Sequence, residues 1–237
     1  MNQNAALSCN RVAIYDLDRT VLRTPTFTLF LLWATWRAAP WRLLLLPLLA
    51  GLAIGHGLNF YGRDRFKPFA IRLMLGATIP RNLMNDLAKR FAFWRVSGDV
   101  PQGARASIAR DRAQGYRLVM ATAAPEFYAG AIADALDFHD LVATRHHRDA
   151  DANWLPAIDG VNCYGVEKAR RVSAWLDTHM PGTTRHVRAY SDHASDAPLF
   201  AIADEAWLVG RSRKLADLAA RSGWRMIDFE VEDPPVD

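Results

Sequence analysis

Two carboxylates one residue apart, Asp16 and Asp18 in Asp16-Leu17-Asp18-Arg19-Thr20, follow the short apolar run Val12–Tyr15. A run of that length ended by an acid has the pattern of a strand buried on both faces of a parallel sheet. Its carboxyl end is where open α/β sheets place their ligand crevice. Carboxylates at this spacing leave a strand end on the same side, close enough to share a divalent cation or to divide nucleophile and acid roles. Alone, the same five residues suit a solvated acidic turn better.

Other strand ends change that balance. Thr122 follows Arg117–Ala121 and precedes Pro125, so its hydroxyl meets the backbone N–H groups of a helix start, a ready anion site. By itself Thr122 would be an ordinary helix cap. Lys168 opens the helix after Cys163-Tyr164-Gly165, where a cation opposes the helix dipole, which hints at a functional reason. By itself it would equally be a solvent-facing lysine. Asp192 and Asp196, in the run YSDHASD after His186–Tyr190, form a second acidic pair. Four features in this order, each at a strand end or helix start, exceed what chance spacing supplies.

The elements that must position them alternate. Strand-like runs at 12–15, 117–121, 186–190, 206–209 and 224–229 are separated by helical stretches at 104–114, 125–136, 166–178 and 212–222. Gly115 and Gly223 stand where a left-handed helix cap belongs. Strands alternating with helices predict an α/β fold with a doubly wound parallel sheet. Residues 137–165 break the rhythm with a strand at 141–144 and a hairpin or loop carrying Asp159-Gly160. The tail from Glu230, with Pro234-Pro235, is expected to fray. The other exception is 23–97, which has no strand-like run; prolines at 25, 40, 47, 68 and 80 divide it into helical pieces at 26–37, 41–58, 64–76 and 81–97.

With these motifs in place, the sequence resembles the haloacid dehalogenase superfamily of phosphatases. DLDRT at 16–20 is similar to the family's first motif, Thr122 after LVMA to the second, Lys168 in CYGVEK to the third, and Asp192 with Asp196 in YSDHASD to the fourth. CYGVEK and YSDHASDAPLF resemble in particular the subgroup containing phosphoserine phosphatase, whose helical cap lies between the first two motifs. The resemblance implies a Rossmann-like catalytic core over 1–22 and 98–237 and a helical, strongly apolar cap over 23–97. It implies that Asp16 is the nucleophile that forms an aspartyl-phosphate, and that Asp18 is the general acid and base. It also implies that Thr122 and Lys168 hold phosphoryl oxygens. Mg2+ would be held by Asp16, the Asp18 backbone carbonyl and Asp192, with Asp196, Thr20 and Arg19 in support. One departure stands out: Arg19 occupies a position where the family usually has glycine, so either the turn differs or the guanidinium assists phosphate binding.

Composition narrows the class without choosing a substrate. The 237 residues are 51% hydrophobic and 23% charged, which argues against disorder and coiled coil. The formal net charge of +4 is too small to identify a partner. Cys9 and Cys163 have no metal-ligand spacing and make no disulfide framework, so a reducing cytoplasmic setting is expected. The first fifteen residues carry no basic-then-apolar run, so no secretory leader is expected. Arg145-His146-His147-Arg148 suits a solvated basic loop, since adjacent histidines on a strand point to opposite faces. His193, inside the fourth motif, is placed to touch substrate but better suits a loop residue. The tryptophans of the cap accompany aliphatic runs and suit core or interface packing, and no nucleic-acid partner is expected.

The cap carries the clue to substrate. Between Asp18 and Asp64 there is no acidic residue, and Leu43–Gly62 holds no Lys, Arg, Asp or Glu, with arginines and aromatic residues at its edges. That resembles a membrane segment with an aromatic belt. A single crossing would put the first motif and the other three on opposite sides of a bilayer, so crossings must be even in number. The partner stretch Phe27–Trp36 is too short for ~30 Å of hydrocarbon. A re-entrant or interface-lying helical pair drawn to anionic headgroups is one reading; a buried cap packed on itself and the sheet is the other. The arginine spacing before LLLLPLL and the following GRDRF resemble the phosphatidylglycerophosphatase C type within the subgroup. That type implies a lipid-phosphate substrate at the cytoplasmic face of the bacterial inner membrane. The alternatives are a soluble small-molecule phosphatase of phosphoserine phosphatase type and a non-catalytic membrane-bound phosphate sensor or scaffold.

Overall fold

The computed structural model describes residues 10–58, 60, 62–181 and 185–231. Its centre is a six-stranded, wholly parallel sheet in the order β3-β2-β1-β6-β7-β8. The strands are β1 (Arg11–Tyr15), β2 (Arg117–Pro125), β3 (Asp140–Thr144), β6 (His186–Ser191), β7 (Glu205–Val209) and β8 (Arg225–Ile227). The expected α/β class is therefore observed. The chain leaves β1 toward β2 and β3 on one side and later returns to β6 on the other, so the strand order reverses beside β1. That reversal is where a crevice opens at the carboxyl ends of the strands.

Period-two alternation along β1 builds a core on each face. Ala13 and Tyr15 pack with α5 (Gln102–Ala113), α6 (Glu126–Ala135) and the helices that follow β1, whereas Val12 and Ile14 pack with α7 (Val166–His179), α8 (Ala197–Phe200) and α9 (Arg213–Ser222). Gly115 and Gly223 take the positive φ values of 78° and 69° that their cap positions require.

Between β1 and α5 lie α1 (Phe27–Ala38), a 3-10 helix (Pro40–Leu45), α2 (Leu46–Gly57), α3 (Arg63–Leu75) and α4 (Arg81–Asp99). The single piece expected over 41–58 is in fact two, because Pro47 sits in the first turn of α2, where a proline lacking N–H is tolerated, and so marks a start. Phe30, Phe91, Phe127 and Tyr128 interlock where α1 and α4 meet α6. The apolar stretch behaves differently. Over Pro40–Gly57 only 11% is buried at a mean hydropathy of 1.2, and Leu44 is 82% exposed. Trp36 and Trp41 lie outside the core, and Arg37 and Arg42 each cover an indole face, Arg37 over Trp33 and Arg42 over Trp41.

Two further expectations need correction. The hairpin is β4 (His146–Arg148) with β5 (Trp154–Ile158), and its turn lies before Asn153 rather than at Asp159-Gly160. Asp149 Oδ1 accepts the backbone N–H groups of Asp151 and Asn153, an Asx arrangement that closes the turn. The basic quartet at 145–148 is largely this β4 strand and not a solvated loop. His147 does face solvent, but His146 is buried against Phe127. The tail beyond Val231 and Cys9 lie outside the described residues.

Candidate active site

Asp16 follows the last residue of β1, and its backbone N–H donates to the Tyr190 carbonyl of β6, which pins the strand end at the reversal of strand order. Asp18 lies in the turn beyond, and its Oδ1 accepts the Thr26 N–H at 2.8 Å. Thr122 lies near the end of β2, which runs on to Pro125 rather than stopping at Ala121. Lys168 stands in the first turn of α7, whose N-cap Gly165 takes φ 56°. Asp192 follows β6, and Asp196 ends a 3-10 turn, Ala194–Asp196. Asp16, Asp18, Arg19, Thr122, Lys168, Asp192 and Asp196 all line one cleft of about 340 Å3. Thr20 lies beneath it, its hydroxyl accepting the Asp192 N–H at 3.1 Å.

Charge is arranged around one ammonium. Lys168 Nζ donates to Asp16 Oδ1 at 2.9 Å and to Asp196 Oδ2 at 2.7 Å, and all three groups are buried. Burial alone would lower the lysine's proton affinity; the two carboxylates more than reverse it, so Lys168 stays charged. Burial pushes the Asp16 carboxyl upward against the opposing pull of Lys168. Burial also raises Asp18, opposed by its hydrogen bonds from Thr26. Ser191 Oγ donates to Asp196 Oδ2 at 2.6 Å, while Asp196 Oδ1 is buried without a hydrogen-bond partner among the described groups.

The donor chemistry suits a hard cation. Two carboxylates, Asp16 and Asp192, and the Asp18 carbonyl are all oxygen ligands, and the orphaned Asp196 oxygen calls for a further donor such as an ordered water. Among the described residues no three His, Cys, Asp or Glu side chains converge as a ready-made cage. Cys163 is no nucleophile: burial pushes its thiol up to about 11.

The sequence profile of the haloacid dehalogenase-like hydrolases matches residues 13–201, most of the chain. The chain belongs to this family. As a haloacid dehalogenase-like hydrolase it has a relative in protein CicA of Caulobacter vibrioides, 32% identical over 193 residues that cover 81% of this chain and 82% of CicA. A Bordetella pertussis Tohama I protein of unknown function superposes with a TM-score of 0.79 at 23% identity, covering 92% of this chain and 98% of that one. A phosphoserine phosphatase with an analogue of its phospho-aspartyl intermediate superposes with a TM-score of 0.57 at 14% identity over 94% of each chain. These two structures share the hydrolase's fold.

The cleft also holds residues that motif spacing did not point to. Lys67 of α3 is buried in its wall and donates to the Ala123 carbonyl and to Asn162 Oδ1. Thr26 and Ser191 hold Asp18 and Asp196. Ser191 was within reach of sequence reasoning, since it adjoins the fourth motif. Lys67 is one lysine in RFKPF with no pattern around it. His193 lines the cleft, and its Nδ1 accepts the Ser195 N–H at 3.0 Å.

Proposed function

We propose that this hydrolase is a magnesium-dependent phosphomonoesterase that works through an aspartyl-phosphate on Asp16. The observation that carries the reading is Lys168 held between Asp16 and Asp196 in a cleft that Asp18, Thr122 and Asp192 also line. Bringing a carboxylate to an anionic phosphorus requires neutralising charge at the point of attack. Lys168 supplies it from one side, and Thr122 offers a hydroxyl to a phosphoryl oxygen. Asp16, the Asp18 carbonyl and Asp192 are the residues that would hold magnesium, with Asp196 orienting them and Thr20 and Arg19 in support. The ion, when bound, supplies further positive charge against the phosphate. Asp16 Oδ attacks phosphorus as the ester P–O bond breaks, and Asp18 gives its proton to the leaving alcohol. Asp18 then takes a proton from the water that cleaves the acyl phosphate, returning Asp16 and inorganic phosphate. A carboxyl raised by burial, as Asp18 is, suits that exchange of roles.

The substrate we infer is a lipid phosphate such as phosphatidylglycerophosphate, met at the cytoplasmic face of a membrane by the cap over 23–97. Exposed Trp36, Trp41, Leu44, Leu48, Ile54 and Leu58 on that cap support this reading, with Arg37 and Arg42 beside them. The test is inorganic phosphate release from phosphatidylglycerophosphate, phosphatidic acid and phosphoserine, with magnesium and then with EDTA. Preference for the lipid esters and loss of release in EDTA are expected. Preference for phosphoserine would defeat the lipid assignment, and no release from any ester would defeat the phosphatase.

A further inference from the structure

The peptide that joins Ala123 to Ala124 lies in the cleft wall and is gripped at both ends. Its carbonyl oxygen accepts Lys67 Nζ from α3 and the Thr144 hydroxyl from β3, the latter at 2.7 Å. Its N–H, on the opposite side of the same planar group, donates to Thr122 Oγ1 at 3.0 Å. With that lone pair engaged, the Thr122 hydroxyl keeps its proton to donate elsewhere, and the residue lines the cleft beside Lys168. A cation on a carbonyl polarises the peptide and strengthens what its N–H donates. Lys67 itself is clamped: Asn162 Oδ1 accepts from Lys67 Nζ, and the Asn162 N–H donates to Asp64 Oδ1 of α3 at 2.9 Å. Asp64 and Lys67, one helical turn apart, thus hold the same asparagine of the sheet domain by its backbone and its side chain.

We propose that Lys67 is a positioning residue that acts through the Ala123–Ala124 peptide to set Thr122 as a hydrogen-bond donor to the substrate's phosphoryl group. Because Lys67 rides on α3, the seating of that helix on the sheet reaches the Thr122 hydroxyl through this peptide. The inference rests on the phosphatase reading for the role of Thr122.

The experiment is a double-mutant cycle in the full chain with magnesium, using Lys67→Met, Thr122→Val and the pair. It reads the dissociation constant of inorganic phosphate and kcat on an ester the parent hydrolyses. Lys67→Met and Thr122→Val are each expected to weaken phosphate binding by about ten-fold, the size of a hydrogen bond to a charged group. Adding Lys67→Met to Thr122→Val should cost less than about two-fold more, the signature of two residues acting through one interaction. Equal effects of Lys67→Met with and without the Thr122 hydroxyl, or no effect in either, would overturn the proposal. If Lys67→Met does not unfold cooperatively, Thr144→Val, which removes the other donor to the same carbonyl, takes its place in the cycle. A parent that binds phosphate yet hydrolyses no ester would sink the phosphatase reading alone, since the binding cycle still decides the role of Lys67.

Discussion

Arg19 sits at φ 62°, in the left-handed region that costs a side-chain-bearing residue about 1 kcal/mol relative to glycine. The turn after Asp18 therefore keeps the backbone that glycine would favour, and the arginine is tolerated against its local preference. Its guanidinium lies at the cleft, where it is one of the groups that oppose the upward push of burial on the Asp192 carboxyl. Arg19→Gly is expected to raise stability by about 0.5–1 kcal/mol in urea unfolding and to raise KM for a phosphate ester. A stabilised variant with unchanged KM would show that the side chain takes no part in binding. His146 supplies the pH dependence. Its Nδ1–H donates to the Pro156 carbonyl at 3.0 Å, its Nε2 is buried without a partner among the described residues, and burial pushes its pKa down to about 4. A folded value below the unfolded ~6.5 means that the unfolded chain binds the extra proton. The His146 contribution to stability is then complete above about pH 6.5 and is lost, by about 3 kcal/mol, as pH drops toward 4. Urea midpoints at pH 7, 5.5 and 4.5 should fall more steeply for the parent than for His146→Leu; parallel lines would refute it. At this scale the motif residues were legible because each stands within a few positions of its own strand end or helix start. Lys67 and Asn162 were not, since they meet across 95 positions and only the fold brings them together.

Helices α4 and α5 join through Val100-Pro101 and carry one glycine each near that joint, with opposite consequences. Gly98, inside α4, has nothing within 4 Å of a built Cβ, so Gly98→Ala should stabilise by about 0.5–1 kcal/mol through the entropy of the unfolded chain. Gly103, in the first turn of α5, donates its N–H to the Phe229 carbonyl, and a Cβ there would lie 2.7 Å from the carbonyl oxygens of Phe229 and Val231. Those are backbone atoms that cannot rotate away, so Gly103→Ala should destabilise by about 1–3 kcal/mol. Thermal unfolding of the two variants tests the contrast, and shifts of the same sign would refute it. Sequence periodicity found the sheet and its helices because the central strands β1 and β2 are apolar runs buried on both faces. It misplaced the hairpin turn because Asp159-Gly160 is the stronger short-range turn signal, whereas the turn is closed by the side chain of Asp149 reaching ahead to Asn153. The break at Leu45 was lost because a proline in a first turn and one within a helix look alike in a string of letters.

Across the whole molecule the four motifs meet in one cleft although the apolar stretch separates the first from the rest. Strands β1 and β2, which flank that stretch in sequence, are paired and parallel in the sheet. Any encounter with a bilayer must therefore leave both ends of the stretch on the same side, which a re-entrant or surface-lying arrangement does. Leu49 is buried in α2 and anchors it, while Leu44, Leu48, Ile54 and Leu58 point to solvent. Exposed aliphatic side chains contribute little to folding, so replacing these four with serine should leave unfolding midpoints nearly unchanged. Their effect should fall on membrane affinity instead. If each side chain is about half immersed, the loss is roughly 0.7 kcal/mol per residue, and affinity for phosphatidylglycerol vesicles falls on the order of 100-fold. Hydrolysis of a small water-soluble phosphate ester should be retained, because none of the four residues lines the cleft. Hydrolysis of a vesicle-borne lipid phosphate should fall with the binding. Undiminished sedimentation of the variant with vesicles would show that this surface does not meet lipid, and loss of activity on the soluble ester would show that it supports the cleft instead.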